Sequence, residues 1–214
     1  MIFATTLISS SLGTVHGLTG GGTAPGAYSG DFAYEILYHR MTISVSGLQF
    51  SYDYGYGSGI LRPTTAGQTI DDVHNLDGYI SDLQSGVYDG TLPSLYNAHN
   101  AAPDIDVKKP CYIVLDIRGP QALSFQPTEY GVLIDPAKAA KYSCLYEYNT
   151  SLTRYAGKAP PAASNADLCY IAIFGIKTPS YDNALDTYSL SFQIAQSSGS
   201  PINAQIDPHI KNRG

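Results

Sequence analysis

Tyrosine recurs at alternate positions through much of residues 32–59, FAYEILYHRMTISVSGLQFSYDYGYGSG. Tyr34 and Tyr38 share a parity with Phe32 and Ile36, and Leu48, Phe50, Tyr52, Tyr54 and Tyr56 make a second row. Successive side chains of a strand point to opposite faces, so a period of two marks a strand with one buried face. The parity changes at Ser46 and Gly47, which predicts a break between two or three strands. Apolar, β-rich runs predict further strands over 111–117, 131–134, 142–148, 168–176 and 188–195.

A helical period appears once. Val73, Leu76, Ile80 and Leu83 would form one apolar stripe, with Thr69 as cap, Asp71 and Asp72 in the first turn and Gly86 at the end. Residues 87–109 are rich in Gly, Pro, Asn and Asp, and read as an excursion from the sheet with a short helical turn at 94–99. Another helical turn is expected over 135–141, and the paired prolines of 158–165 demand a loop. These elements predict an all-β fold, a β-sandwich or jelly-roll-like pair of sheets with one helical excursion over residues 69–100. The alternative is an α+β domain with that helix packed on a single sheet. The expected organisation is an N-terminal arm at 1–18, a Gly/Ser/Pro linker at 19–30 and one β-rich domain at 31–214.

One internal echo is visible. Cys111-Tyr112-Ile113-Val114-Leu115 is followed by Ser124-Phe125-Gln126, and Cys169-Tyr170-Ile171-Ala172-Ile173 by Ser191-Phe192-Gln193. Duplication of a hairpin would produce it, and so would generic sandwich patterning, which is the favoured reading.

Composition narrows the function classes. Among 214 residues only 14% are charged, against roughly 25% in ordinary soluble domains, while Gly (21) and Tyr (18) are abundant. Solubility must rest largely on hydroxyls and amides, a profile that leans towards an extracellular or surface-exposed protein or an assembly subunit. The net charge of −6 and the lack of a basic run argue against nucleic acid as a partner. The short basic stretch His209-Ile210-Lys211-Asn212-Arg213 reads as a solvated terminus. Thr5, Thr6, Ser9, Ser10 and Ser11 interrupt the first apolar run and the first basic side chain is Arg40, so there is no convincing secretory signal. No segment approaches the ~20 continuous apolar residues of a membrane span. A polar N-terminal arm that is held in place needs an anchor, either its own sheet or a neighbouring subunit.

The candidate ligand-binding residues are Tyr52, Asp53, Tyr54 and Tyr56 in the run SYDYGYGSG. Tyrosine offers large amphipathic area at low entropic cost, serine and glycine let the backbone adapt, and Asp53 can accept from hydroxyls. The plainer alternative is that these tyrosines cover a sheet face. Three cysteines cannot build a disulfide framework. Cys111, Cys144 and Cys169 read as small buried hydrophobes, with a disulfide open to Cys144 and Cys169 if they face each other on adjacent strands.

No metal or cofactor motif is present, and none is assigned. Asp104 and Asp106, like Asp71 and Asp72, lack a calcium-loop pattern, so the 104–106 segment reads as a solvated loop. Gly20-Gly21-Gly22-Thr23 lacks the lysine and helix of a phosphate loop. No G-x-S-x-G elbow accompanies the scattered His39, His74, His99 and His209, and His39 reads as a half-exposed strand residue. Glutamates occur only at Glu35, Glu129 and Glu147, and a carboxylate pair at the spacing glycosidases use is a tertiary property.

The reading is a non-catalytic binding or self-assembling structural β-sandwich, with self-association and a glycan or protein as the expected partners. The alternatives are a secreted polysaccharide-acting hydrolase using Glu35 or Glu147, and a monomeric lectin-like glycan binder.

Overall fold

The computed structural model describes residues 16–17, 34–46, 49–61, 77–78, 80–81, 96–99, 105–107, 111–126, 131–135, 138–156, 161–176, 185–195, 199–206 and 209–212. Its strands are β1 (His16–Gly17), β2 (Tyr34–Ser46), β3 (Gln49–Leu61), β4 (Tyr96–His99), β5 (Ile105–Val107), β6 (Cys111–Arg118) and β7 (Leu123–Phe125), followed by β8 (Val132–Ile134), β9 (Tyr142–Asn149), β10 (Arg154–Ala156), β11 (Cys169–Ile176), β12 (Leu185–Ile194), β13 (Ile202–Ile206) and β14 (His209–Asn212). They form two seven-stranded sheets, and the fold is an all-β sandwich.

The first sheet runs β10-β9-β11-β6-β2-β3-β4. Its strands β2 and β3 pair antiparallel from Tyr34 with Leu61 through to Ser46 with Gln49, so the sequence break at Ser46 falls where β2 ends. β6 returns beside β2 in parallel, with Arg40 opposite Asp116. In the second sheet β12 is the spine. It pairs with β14 and then β13 through residues 185–194, and with β8 and then β7 through residues 188–194. β14 carries β5 in parallel, and β1 joins β8 with His16 opposite Ile134.

Aromatic side chains join the sheets. Phe174 of β11 sits 6.1 Å from the Tyr142 ring and 6.4 Å from that of Tyr188 in the second sheet, in tilted geometry. β6 and β11 are buried on both faces along almost their whole length. Continuous apolar runs such as CYIAIFGI are what a doubly covered strand requires. Part of the outer cover comes from the predicted helix. Its described residues Asp77, Gly78, Ile80 and Ser81 are helical, Ile80 is buried, and Tyr148 Oη of the first sheet donates to Asp77 at 2.8 Å. The cap Thr69, the other stripe positions and Gly86 lie outside the described residues, as does the 19–30 linker.

Several local expectations are corrected. Residues 96–99 form a strand rather than a helical turn, because backbone pairing with β3 sets Tyr96 opposite Tyr56 and His99 opposite Asp53. Residues 105–107 are strand rather than solvated loop, with Ile105 and Val107 buried. The described part of the basic tail, His209–Asn212, is strand rather than solvated terminus, and it buries Ile210 between β12 and β5. The single-sheet α+β alternative fails on the second sheet. The helical turn expected over 135–141 is present as the 3-10 turn Ala139–Lys141.

The internal echo does not behave as a duplication. Val114 pairs with Ile173 and Leu115 with Ala172, so the echo partners Val114 and Ala172 lie on opposite faces of one sheet. A duplicated strand would keep its core-facing positions.

Gly131 lies where the two sheets approach closely. A Cβ there would lie 2.6 Å from Glu147 Oε1 and 2.7 Å from Phe125 Cβ. Replacing Gly131 with Ala is expected to destabilise the fold by about 2 kcal/mol through overpacking, read as a lowered urea midpoint at unchanged slope.

Candidate functional site

Two i, i+2 spacings on neighbouring strands assemble the main polar cluster. Tyr38 and Arg40 share one face of β2, Asp116 and Arg118 share one face of β6, and the parallel register brings the four together. Asp116 Oδ2 accepts from Tyr38 Oη at 2.5 Å and from Arg40 Nε at 3.1 Å, while Oδ1 accepts from Arg118 Nε at 2.5 Å. The carboxylate side chain is 0% exposed, whereas Arg40 and Arg118 are 34% and 35% exposed. Both guanidinium groups rest on rings: Arg118 Cζ lies 4.1 Å from the Tyr170 centroid and Arg40 Cζ 5.5 Å from that of Tyr38. Burial, reinforced by the Asp116 charge and hydrogen bond, holds the Tyr38 hydroxyl far above its usual range, so it stays protonated.

The same motif occurs twice more. Tyr142 Oη donates to Asp186 Oδ2 at 2.9 Å, with Lys138 Nζ 3.5 Å from Oδ1 and Lys141 Nζ 3.5 Å from Oδ2. Tyr148 Oη donates to Asp77, with Arg154 Nη1 4.0 Å from the same oxygen and Arg154 Cζ 5.0 Å from the Tyr146 ring. Burial is the main reason that the Tyr142 and Tyr148 hydroxyls titrate far above the ordinary range, and their aspartate partners add to it. The sequence signal for the first cluster was a lone Asp inside the apolar run CYIVLDIR, followed two positions later by Arg.

The residues singled out from sequence are distributed differently. Tyr52, Asp53, Tyr54 and Tyr56 all lie on β3, and their side chains fall outside the described residues. The register sets Tyr52 opposite Ile43, Tyr54 opposite Met41 and Tyr56 opposite His39, all three of which are buried. Cross-strand partners share a face. The three tyrosine positions therefore belong to the row of the covered β2 residues, while Asp53, opposite Thr42, belongs to the row of Arg118.

Glu35 and Glu147 do not form a pair. Glu147 shares a row with Ala172, Leu115 and His39, three strand steps from β2, and Glu35 lies four residues further along. Strand geometry separates them by about 20 Å, beyond the roughly 5–10 Å of a glycosidase pair. Glu147 is buried and accepts from Gly131 N at 3.2 Å, and Glu129 lies outside the described residues. Among the described residues no three His, Cys, Asp or Glu side chains gather as a metal site, and no helix is long and apolar enough to cross a membrane.

Cys111 and Cys169 are buried thiols outside any disulfide. Cys169 pairs with Asn149, five positions along β9 from Cys144, or roughly 17 Å at strand rise. A Cys144–Cys169 disulfide is thereby excluded. Burial, then the charges of Glu147 and Asp167, pushes the Cys169 thiol up to about 12, which leaves it unreactive at neutral pH.

His39 is not half-exposed. It lies on the face of Met41 and Ile43 in the packed interior. Comparison with known proteins finds no family model that matches the chain and no curated protein that matches it. The fold and its clusters therefore stand on their own physical terms, as a two-sheet sandwich with paired charges set into its sheets.

Burial lowers the His39 pKa to about 3, from 6.5 in the open chain. The unfolded state then binds a proton that the native state refuses, so stability falls as the pH drops from about 6.5 towards 3. Between pH 7 and pH 5 this group is expected to remove about 2 kcal/mol, at ~1.4 kcal/mol per pH unit below its open-chain value. His39→Leu should flatten that part of the profile in urea unfolding at the two pH values. Equal slopes in both proteins would contradict a neutral, buried imidazole.

Proposed function

We propose that the chain is a non-catalytic β-sandwich that binds or self-associates through its sheets. The observation that carries this reading is the placement of His16 and Gly17. This piece of the N-terminal arm completes the edge of the second sheet by backbone pairing with Leu133 and Ile134 of β8, far away in sequence. An edge that accepts a short strand through main-chain bonds can take it from its own chain or from another copy, since the bonds are the same. The Gly/Ser/Pro segment 19–30 that follows would reach about 40 Å if extended, enough for exchange between neighbours. The small share of charged residues, 14%, supports the same reading, because charge is the usual guard on a sheet edge.

The partner is a second copy of the chain, and a glycan or another protein is the further partner class that the hydroxyl-rich composition suits. Asp53, in the Arg118 row, is the member of the β3 set best placed to take part. Tyr52, Tyr54 and Tyr56 stand in the rows of the covered Ile43, Met41 and His39, so their part in binding is the weaker element of the reading.

Deleting residues 1–18 is expected to weaken the oligomer, with the particle mass by light scattering shifting towards the monomer. An unchanged monomer before and after deletion would end the assembly reading. A glycan array then tests the other partner class. A Tyr52→Ala/Tyr54→Ala variant is expected to lose any glycan signal that the full chain gives, and full retention would remove these tyrosines from the ligand set.

A further inference from the structure

The Asp116 cluster holds more positive charge than the fold requires. One guanidinium balances one buried carboxylate. Here two arginines converge on Asp116, and Tyr38 adds a third donor that stays neutral. Among the described residues the sum is one positive charge in excess of Asp116, on a chain whose net charge is −6. Both arginines reach Asp116 through Nε, at one corner of each fork. A guanidinium has five N–H donors, and beyond the bond to Asp116 Arg40 also engages the Tyr38 hydroxyl and Arg118 that of Tyr170, which leaves up to three donors on each. About a third of each side chain is open to solvent.

The arrangement is also stiff. Arg118 is fixed by Asp116 on one side and by the Tyr170 ring on the other, and Arg40 by Asp116 and the Tyr38 ring. Side chains already immobilised lose little entropy when a ligand arrives, and a planar fork suits an oxyanion better than a flexible ammonium does. The register places the two arginines two residues apart on adjacent strands of one face, about 8 Å between Cα atoms, so one small anion can meet both. The lysine cluster at Asp186 is the weaker candidate. Its ammonium groups sit at 3.5 Å, and Lys141 and Asp186 have further partners.

We propose that Arg40 and Arg118, held by Asp116, form a binding site for an oxyanion group, the carboxylate, sulfate or phosphate of a ligand presented from solvent. The inference is independent of the assembly reading, since it uses the face of the first sheet rather than an edge of the second.

The test is a titration of the full-length protein at constant ionic strength with sodium sulfate, inorganic phosphate and glucuronate. Glucose and chloride serve as controls. Binding is followed by calorimetry and by the 15N resonances of the arginine side chains. Saturable binding of at least one oxyanion is expected, with the Arg40 and Arg118 resonances moving and glucose giving no response. The three oxyanion arms show which group the site prefers. Arg40→Gln and Arg118→Gln should each weaken binding at least tenfold. Lys138→Gln, in the other cluster, should leave it unchanged. Should a glutamine variant fail to fold, Arg118→Lys keeps the charge, loses the fork and should still weaken binding several-fold. The wild-type spectra decide the matter without any variant. If the shifting resonances belong to other arginines, or oxyanions act no differently from chloride, the site does not exist.

Discussion

Three buried tyrosines each donate their hydroxyl to an aspartate, and much else in the molecule follows from that bond. Tyr38 meets Asp116, Tyr142 meets Asp186 and Tyr148 meets Asp77. The strands at the centre of the first sheet are covered on both faces, so a polar group there has little water to turn to. A tyrosine resolves this with one side chain, its ring packing in the core while its hydroxyl satisfies the carboxylate. Hydrogen bonds to charged groups contribute roughly 1.5–3 kcal/mol, and an orphaned buried charge costs roughly 3–5 kcal/mol. Asp77 is half exposed, but at Asp116 and Asp186, whose side chains are fully buried, the bond is therefore worth most as protection against that loss. It gives the abundance of tyrosine a structural reason, at least for these three.

The two sheets divide the chemistry between them. The first carries the arginine-flanked carboxylate on its outer face and the neutral His39 on its inner one. The second is built around a single spine and closed at one edge by the arm. A hydrolase would need a base and an acid facing one reacting atom. The candidate glutamates are spread across strands, and the described aspartates Asp116 and Asp186 are engaged by tyrosine and cations. Such paired groups hold shape and present charge within the sheets.

Much of the secondary structure was legible because strands announce themselves locally. The runs at Cys111, Tyr142 and Cys169 became β6, β9 and β11 nearly residue for residue, and the parity change at Ser46 marked the end of β2. Partnership between strands was not legible. Nothing local says that β2 lies parallel to β6, and that register alone joins Tyr38 and Arg40 to Asp116 and Arg118. His39 was misread for the same reason. Alternation assumes one wet face, and β2 lies inside a sheet where residues of both parities, Tyr38 and His39, are buried. Tyr96–His99 and the basic tail were misread because pairing with β3 and β12 overrides weak local preference.

The spine of the second sheet has a consequence in time. β12 spans Leu185–Ile194, and β1, β5, β7 and β8 gain their places in that sheet directly or indirectly through it. A ribosome makes all four long before it makes β12. Until then the growing chain holds strands such as Val132–Ile134, apolar and destined for burial, with no spine to join. Folding must close over long sequence separations once β12 is made, the regime in which sheets form slowly and stray pairing competes. The segment from β12 through β14 thus acts as a clasp, and a chain cut short before β12 would be left with a first sheet that has lost its facing layer.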